Sequence, residues 1–292
     1  MMDFQTRRQL TLKAAAQAEK VRVKCKQKQA DPVDPITVAE ERGCEVRFIS
    51  LPSLEGIYSP EPRPIIVLGS ERHAGRRTFT CAHELGHHEF KHGMRVEELH
   101  TGGHGSSNDV YEFLADMFAG TLLMPKAGVL RALKTRNFNL KKIQSIQVFR
   151  LASFFGVGYG TLIEHMTWTL SLLTSQQRKE LLKTAPKAIK AVYGCEPKFE
   201  LVIVDEGWKN RAIDVEVGDS IVLPIGATVE DGVHLEQQDV VDGQPIYKAL
   251  KRGYSRSCSG NNEWAAHIRI APKNYEGMAK YRFLDDPDEE VS

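Results

Sequence analysis

Residues 83–87 read His83-Glu84-Leu85-Gly86-His87, two imidazoles four positions apart with a carboxylate directly after the first. On a helix, residues four apart stand one above the other with about 6 Å between Cβ atoms, so the two imidazoles point at one spot. Two His nitrogens at one spot make half of a tetrahedral zinc site. Glu84 falls about 100° around the helix from His83, beside such an ion rather than on it, where a carboxylate can take a proton from water. A five-residue pattern also arises by chance, and a solvated His-Glu-His cluster is the competing reading. The surroundings favour chemistry: Phe79-Thr80-Cys81-Ala82 before the pattern and Leu85-Gly86 inside it form a small, apolar face suited to a buried helix.

A peptidase zinc needs three protein ligands and an open position. The extended layout H-E-x-x-H-x-x-G-x-x-H fails, because Phe90 stands where Gly is needed and Gly93 where the last His is needed. That leaves a carboxylate from a second helix. Asn108 to Met124 opens with a capping residue, stops at Pro125 and carries an apolar stripe of Phe113, Met117, Phe118 and Leu122. Glu112 is the candidate ligand there. Asp116, four residues on, can hold the free Nδ1–H of a ligand His and fix its tautomer. The plainer alternative makes Glu112 an acid favoured by the helix N-terminus and Asp116 a surface residue. His92 lies about one turn further along the first helix, as a support for the site or as core. His100 and His104 fall in a Gly-rich link, where a His could stabilise an oxyanion, although a solvated loop is the simpler reading.

Elements must position these groups. Phe4 to Lys28 reads as one long basic helix, with a break at Asp31–Pro35, and Thr37 to Gly43 as a short helix ended by glycine. Glu45–Leu51 and Pro64–Leu68 are strand-like, with a glycine hairpin turn expected around Glu55-Gly56-Ile57-Tyr58. The helix bearing the zinc pattern is expected from about Arg76 to Lys91. Helical patterns continue over Lys126–Lys134, Leu140–Phe154, Gly158–Trp168 and Ser175–Lys190. From Pro197 the character changes to strands: Phe199–Val204, Ser220–Val222, Pro245–Leu250 and Ala265–Ile270. The end, Asp285 to Glu290, is an acidic tail expected to be disordered.

A chain of 292 residues, 41% hydrophobic and 26% charged, has ample size for a buried core and an ordinary composition. No apolar run approaches the ~18 residues of a membrane span, and Arg7, Arg8, Lys13 and Lys20 leave no apolar core for a secretion signal. Five cysteines without a C-x-x-C pair argue against a disulfide framework and for a reducing, cytoplasmic setting. Charge is uneven: residues 1–194 carry 28 Lys/Arg against 19 Asp/Glu, and residues 195–292 carry 11 against 19. A basic body favours an acidic partner, nucleic acid included, although a solvated surface is the default.

The segment from Leu151 to Ile163 is shaped like a helix-turn-helix, yet its second helix offers Tyr159, Thr161, Glu164 and His165 and no cation for base edges. Packing is the better account, and any DNA contact would come from Lys134, Arg136, Lys141 and Lys142.

Several separate motifs now stand in order: Pro35-Ile-Thr-Val-Ala39, Arg77 through His87, Glu112, and Leu122-Leu-Met-Pro125. Together with Leu151-Ala152 and Phe155-Gly-Val157 they resemble the ImmA/IrrE family of metallopeptidases over about residues 10–190. The resemblance implies an α+β chain. Its parts would be a zincin-like peptidase domain over residues 1–128 and a helical, helix-turn-helix-like segment over 129–194; the resemblance does not clearly cover the remainder, and the strand pattern there reads as a β-rich regulatory domain over 195–292 with an acidic tail. The resemblance implies a gluzincin-like zinc endopeptidase with one Zn2+ held by His83, His87 and Glu112, and Glu84 as base. Asn is common in the family where Asp116 stands, so the role of Asp116 stays open.

The implied substrate is a helix-turn-helix transcription repressor, cut once to relieve repression in a stress, DNA-damage or anti-phage response. Single-stranded DNA is a candidate activator, and no membrane partner is expected. In this class the sheet edge beside the zinc helix often holds the substrate backbone as an added strand. Cys258, in Tyr254-Ser-Arg-Ser-Cys-Ser-Gly-Asn261, is a candidate cysteine switch if a flexible loop delivers its thiolate to the open position of the zinc; an ordinary loop cysteine is the alternative. The competing function is a DNA-binding regulator with a vestigial peptidase site.

Overall fold

The computed structural model describes residues 3–98, 109–230, 232–260 and 263–284. The chain begins with α1 (Phe4–Lys24), α2 (Pro35–Glu41), β1 (Glu45–Ile49), β2 (Leu54–Ser59), β3 (Ile65–Gly69), α3 (Ala74–Phe90), β4 (Arg95–Glu98) and α4 (Val110–Leu123). Next come α5 (Lys126–Thr135), α6 (Ser145–Phe155), α7 (Tyr159–Glu164, running into a π-helical turn), α8 (Ser175–Leu182) and α9 (Pro186–Val192). The strands β5 (Leu201–Ile203), β6 (Ala212–Glu216), β7 (Ser220–Val222), β8 (Ala227–Val229), β9 (Leu235–Val241), β10 (Gln244–Ala249), β11 (Gly253–Ser259) and β12 (Ala265–Ala271) follow. The architecture is mixed α+β. Asn108, His100, His104 and the acidic segment 285–290 lie outside the described residues.

Two compact units divide the chain. The first comprises Met1–Asn137, Phe155–Ser171 and Glu276–Ala279; the second comprises Phe138–Phe154, Leu172–Tyr275 and Lys280–Ser292. Residues 129–194, expected to form a segment of their own, are shared between them.

In the first unit a five-stranded sheet runs from the short strand Gly277–Met278 through β1, β3 and β2 to β4 at the other edge. β1 and β3 pair in parallel, and β2 is antiparallel to both β3 and β4. Alternation sets the buried face: Val46 and Phe48 of β1, and Ile66 and Leu68 of β3, are buried. The hairpin turn expected at Glu55–Tyr58 is not there, because those residues lie inside β2. Gly56 serves close approach instead of turning: a Cβ on it would sit 2.5 Å from Thr80 Cγ2 and 2.7 Å from Glu84 Oε1 of α3. Glycine therefore lets the strand lie against the helix that carries the chemistry.

Helix α1 stops at Lys24, four residues short of expectation, and Lys26 takes a left-handed conformation at φ 51°. Ala14, Ala18 and Val21 bury one face of α1, and the buried Arg22 donates to the Leu122 and Lys28 carbonyls at 2.6 Å each. Burial pushes the Arg22 guanidinium down to about 10, still charged at neutral pH. The stretch Val110–Thr135, which joins α4 and α5 across Met124-Pro125, is long and apolar enough by composition alone to cross a bilayer. Of that apolar window 72% is buried inside the protein, as a core helix requires.

The second unit contains two four-stranded sheets, ordered β5-β7-β10-β9 and β6-β12-β11-β8. Ile203, Ile213, Ile221, Val222, Ile268 and Ile270 are fully or almost fully buried in it. β6, β8, β9 and β11 were not anticipated. β9 explains why: five consecutive exposed residues, Glu236 to Val240, leave an edge strand with almost no apolar alternation to read.

Candidate metal centre

Helix α3 is amphipathic in an unusual sense, since its buried face is partly polar: Thr80, His83, Glu84 and His87 are all 2% exposed or less. Close packing makes this possible. A Cβ on Gly86 would lie 3.0 Å from the Ala115 Cα and 3.2 Å from the Phe118 ring, so glycine allows α4 to press directly on α3. α4 is capped by Asp109, whose side chain accepts from the Tyr111 N–H at 2.8 Å. Its first turn then presents Glu112, where the helix N-terminus favours a negative charge.

Between these helices the donor atoms converge. His83 Nε2 and His87 Nε2 are 3.0 Å apart, and Glu112 Oε2 lies 3.2 Å from the first and 3.6 Å from the second. One ligand atom from each residue falls within 4.8 Å of the others. His83 Nδ1 faces Asp116 Oδ1 at 2.9 Å, with Asp116 itself buried. Glu84 shares the buried surface, its carboxylate packed where β2 passes at Gly56. The two imidazoles hold the Glu112 carboxyl well below the usual carboxylate range.

The residues present fit a divalent metal. His83 stands between two carboxylate oxygens, Asp116 on one nitrogen and Glu112 on the other, and a neutral ring can donate to only one of them. The second contact calls for positive charge. A proton would answer one pair of atoms, whereas a cation coordinated by His83 Nε2, His87 Nε2 and Glu112 Oε2 answers all three. With Nδ1–H donated to Asp116, the Nε2 lone pair of His83 is free to coordinate.

Of the other residues singled out in the sequence, the structure places two away from reading roles. Tyr159 and His165 on and after α7 are buried together with Leu162 and Ile163. They offer no surface to DNA, so packing accounts for them. Cys258 sits on β11 and not on a loop: it pairs in register with Ala265 and Thr228, and its thiol donates to Glu230 Oε1 at 3.7 Å. Gly56, expected in a hairpin turn, is instead the point where β2 approaches α3, and a lone glycine in a strand pattern is the signal of such a close backbone approach.

A buried helix with two imidazoles and an adjacent carboxylate, facing an acid from a second helix, is the donor set of a metallopeptidase-type site. Residues 39–167 match the family model described as the IrrE N-terminal-like domain, which supports a peptidase of the ImmA/IrrE type over that part of the chain. No curated protein matches the chain. Among solved structures, the cysteine protease inhibitor EhICP2 from Entamoeba histolytica is 12% identical over 26% of this chain and 99% of its own, with a TM-score of 0.20. At that score the likeness carries no argument.

Proposed function

We propose that the chain is a zinc-dependent, gluzincin-like endopeptidase that makes a single cut in a helix-turn-helix transcription repressor. The observation that carries this reading is the convergence of His83, His87 and Glu112 on one point. Zinc bound there would supply Lewis-acid polarisation of a carbonyl and of water. Asp116 orients His83, and the close packing of α3 on α4 at Gly86 holds the two helices in register. Glu84 accepts a proton from the attacking water and delivers it to the leaving amine. Its place on the buried face, against β2, keeps it from swinging into solvent.

Among the described residues β4 is the edge strand of the first unit's sheet, and such an edge can take a substrate segment as an added strand. Family resemblance supports the repressor as substrate and a stress, DNA-damage or anti-phage setting. The basic excess of residues 1–194 supports single-stranded DNA as an activating partner. The test is incubation of the zinc-loaded protein with the repressor encoded beside it, with and without single-stranded DNA, scored by mass spectrometry of the fragments. One defined cut, lost in Glu84→Gln, is expected. An intact repressor in every condition would overturn the substrate assignment, and a cut that persists in Glu84→Gln would overturn the role of Glu84.

A further inference from the structure

His83 has a carboxylate behind it; what stands behind His87 is another histidine. The chain leaves α3 at Lys91 in the left-handed region, φ 58° and ψ 45°, a conformation that side-chain-bearing residues seldom adopt. This reversal turns His92 back over the helix end. The His92 N–H donates to the His87 carbonyl, five residues earlier, at 3.0 Å, the bond that closes a Schellman-type terminus. The His92 ring stacks on Phe90, with centroids 5.5 Å apart and planes 14° from parallel, and meets the Tyr111 ring at 4.5 Å. Held in this way, His92 Nδ1 lies 3.0 Å from His87 Nδ1.

Two bare nitrogens, or two N–H groups, would repel at that distance, so one proton lies between them. Its owner decides what His87 can do. If the proton rides on His92, a neutral His87 must carry its own proton on Nε2 and has no lone pair for a metal. If it rides on His87, Nε2 is bare and faces His83 Nε2 and Glu112. We infer that His92 is a positioning residue that accepts from His87 Nδ1–H, setting the tautomer of His87 as Asp116 sets that of His83. The inference rests on the metal-centre reading above and adds to it a second, neutral support. A left-handed, non-glycine helix end serves this arrangement by fixing His92 at the only end of α3 adjacent to His87.

The test measures metal affinity on the full chain by chelator competition with Zn2+, and the Co2+ absorption spectrum of the same proteins. His92→Phe keeps an aromatic ring between Phe90 and Tyr111 but accepts nothing. It is expected to weaken zinc binding about 10- to 100-fold, the usual cost of losing a ligand's outer hydrogen-bond partner, and to alter the Co2+ bands. His92→Gln, whose amide oxygen can accept, is expected to recover part of the loss. Wild-type affinity in His92→Phe would overturn the inference. Failure of the wild-type chain to bind zinc would overturn the metal centre itself, a separate and recognisable result. Long-range 1H–15N spectra of the zinc-loaded wild-type protein decide the matter without any variant: a bare His92 Nδ1 is expected, and a proton on it would refute the proposal.

Discussion

Among its described residues the first unit buries histidine in two places, with opposite consequences. At His83 and His87 the rings meet a carboxylate on one side and further polar partners behind, so the group attracts positive charge. At His165 the ring is equally hidden, yet its Nε2 donates to the Met124 carbonyl at 3.0 Å and its edge lies against Gly120. Burial pushes His165 down to about 4, so it stays neutral at physiological pH. The difference teaches that burial alone makes a histidine a structural donor. Convergence with acids makes it a candidate ligand.

The first group should break at once when a donor is removed. Glu112→Gln or His87→Ala is expected to abolish stoichiometric zinc, read by elemental analysis after dialysis, because two donors rarely hold the ion. Retained zinc would show that the convergence is incidental. Glu84→Gln separates the proposed base from the proposed ligands: zinc content is expected to be unchanged while cleavage of the proposed repressor substrate falls about 100- to 10,000-fold.

At His165 the expected effect is on stability, and its sign follows from the lowered pKa. Between about 4 and 6.5 the unfolded chain binds a proton that the folded one refuses. Stability from this group is therefore fully present above pH 6.5 and lost as pH falls toward 4, amounting to about 3 kcal/mol over the whole window. Hydrogen exchange of the α7 amides at several pH values measures it locally. His165→Gln, which retains a donor for Met124, should flatten the slope by that amount. An unchanged slope would assign the acid sensitivity to other groups.

How much of this could be read from the sequence follows the same contrast. His83, Glu84 and His87 were legible because helical spacing is local and places them together without knowledge of the fold. Glu112 needed a second helix and the failure of the nearer His pattern. Gly56 and His92 act through approaches that spacing does not encode: a strand lying on α3 and a helix end turned left-handed at Lys91. In the second unit Ser220–Val222 was legible as an apolar run, whereas β9, exposed along most of its length, had no pattern to betray it. Cys258 was misplaced on a loop for a related reason, since Ser and Gly around it suggest a turn while register with Ala265 and Thr228 makes it strand.

The smallest expected effect gives the sharpest test of the contrast. A Cβ on Gly120 would lie 2.8 Å from His165 Nδ1 and 2.9 Å from its Cε1. The ring cannot easily yield, because its other nitrogen is tied to Met124. Gly120→Ala should therefore cost about 1–3 kcal/mol by overpacking, read as faster exchange of the α4 and α7 amides. The proposed binding of one zinc should be unaffected, since the strain falls on His165, outside the cluster of His83, His87 and Glu112. Combined with His165→Ala, the added methyl meets empty space, so the double variant should be more stable than the two single costs together imply. Strict additivity would mean that Gly120 and His165 do not press on one another, and the account of His165 as a packed structural ring would have to be abandoned.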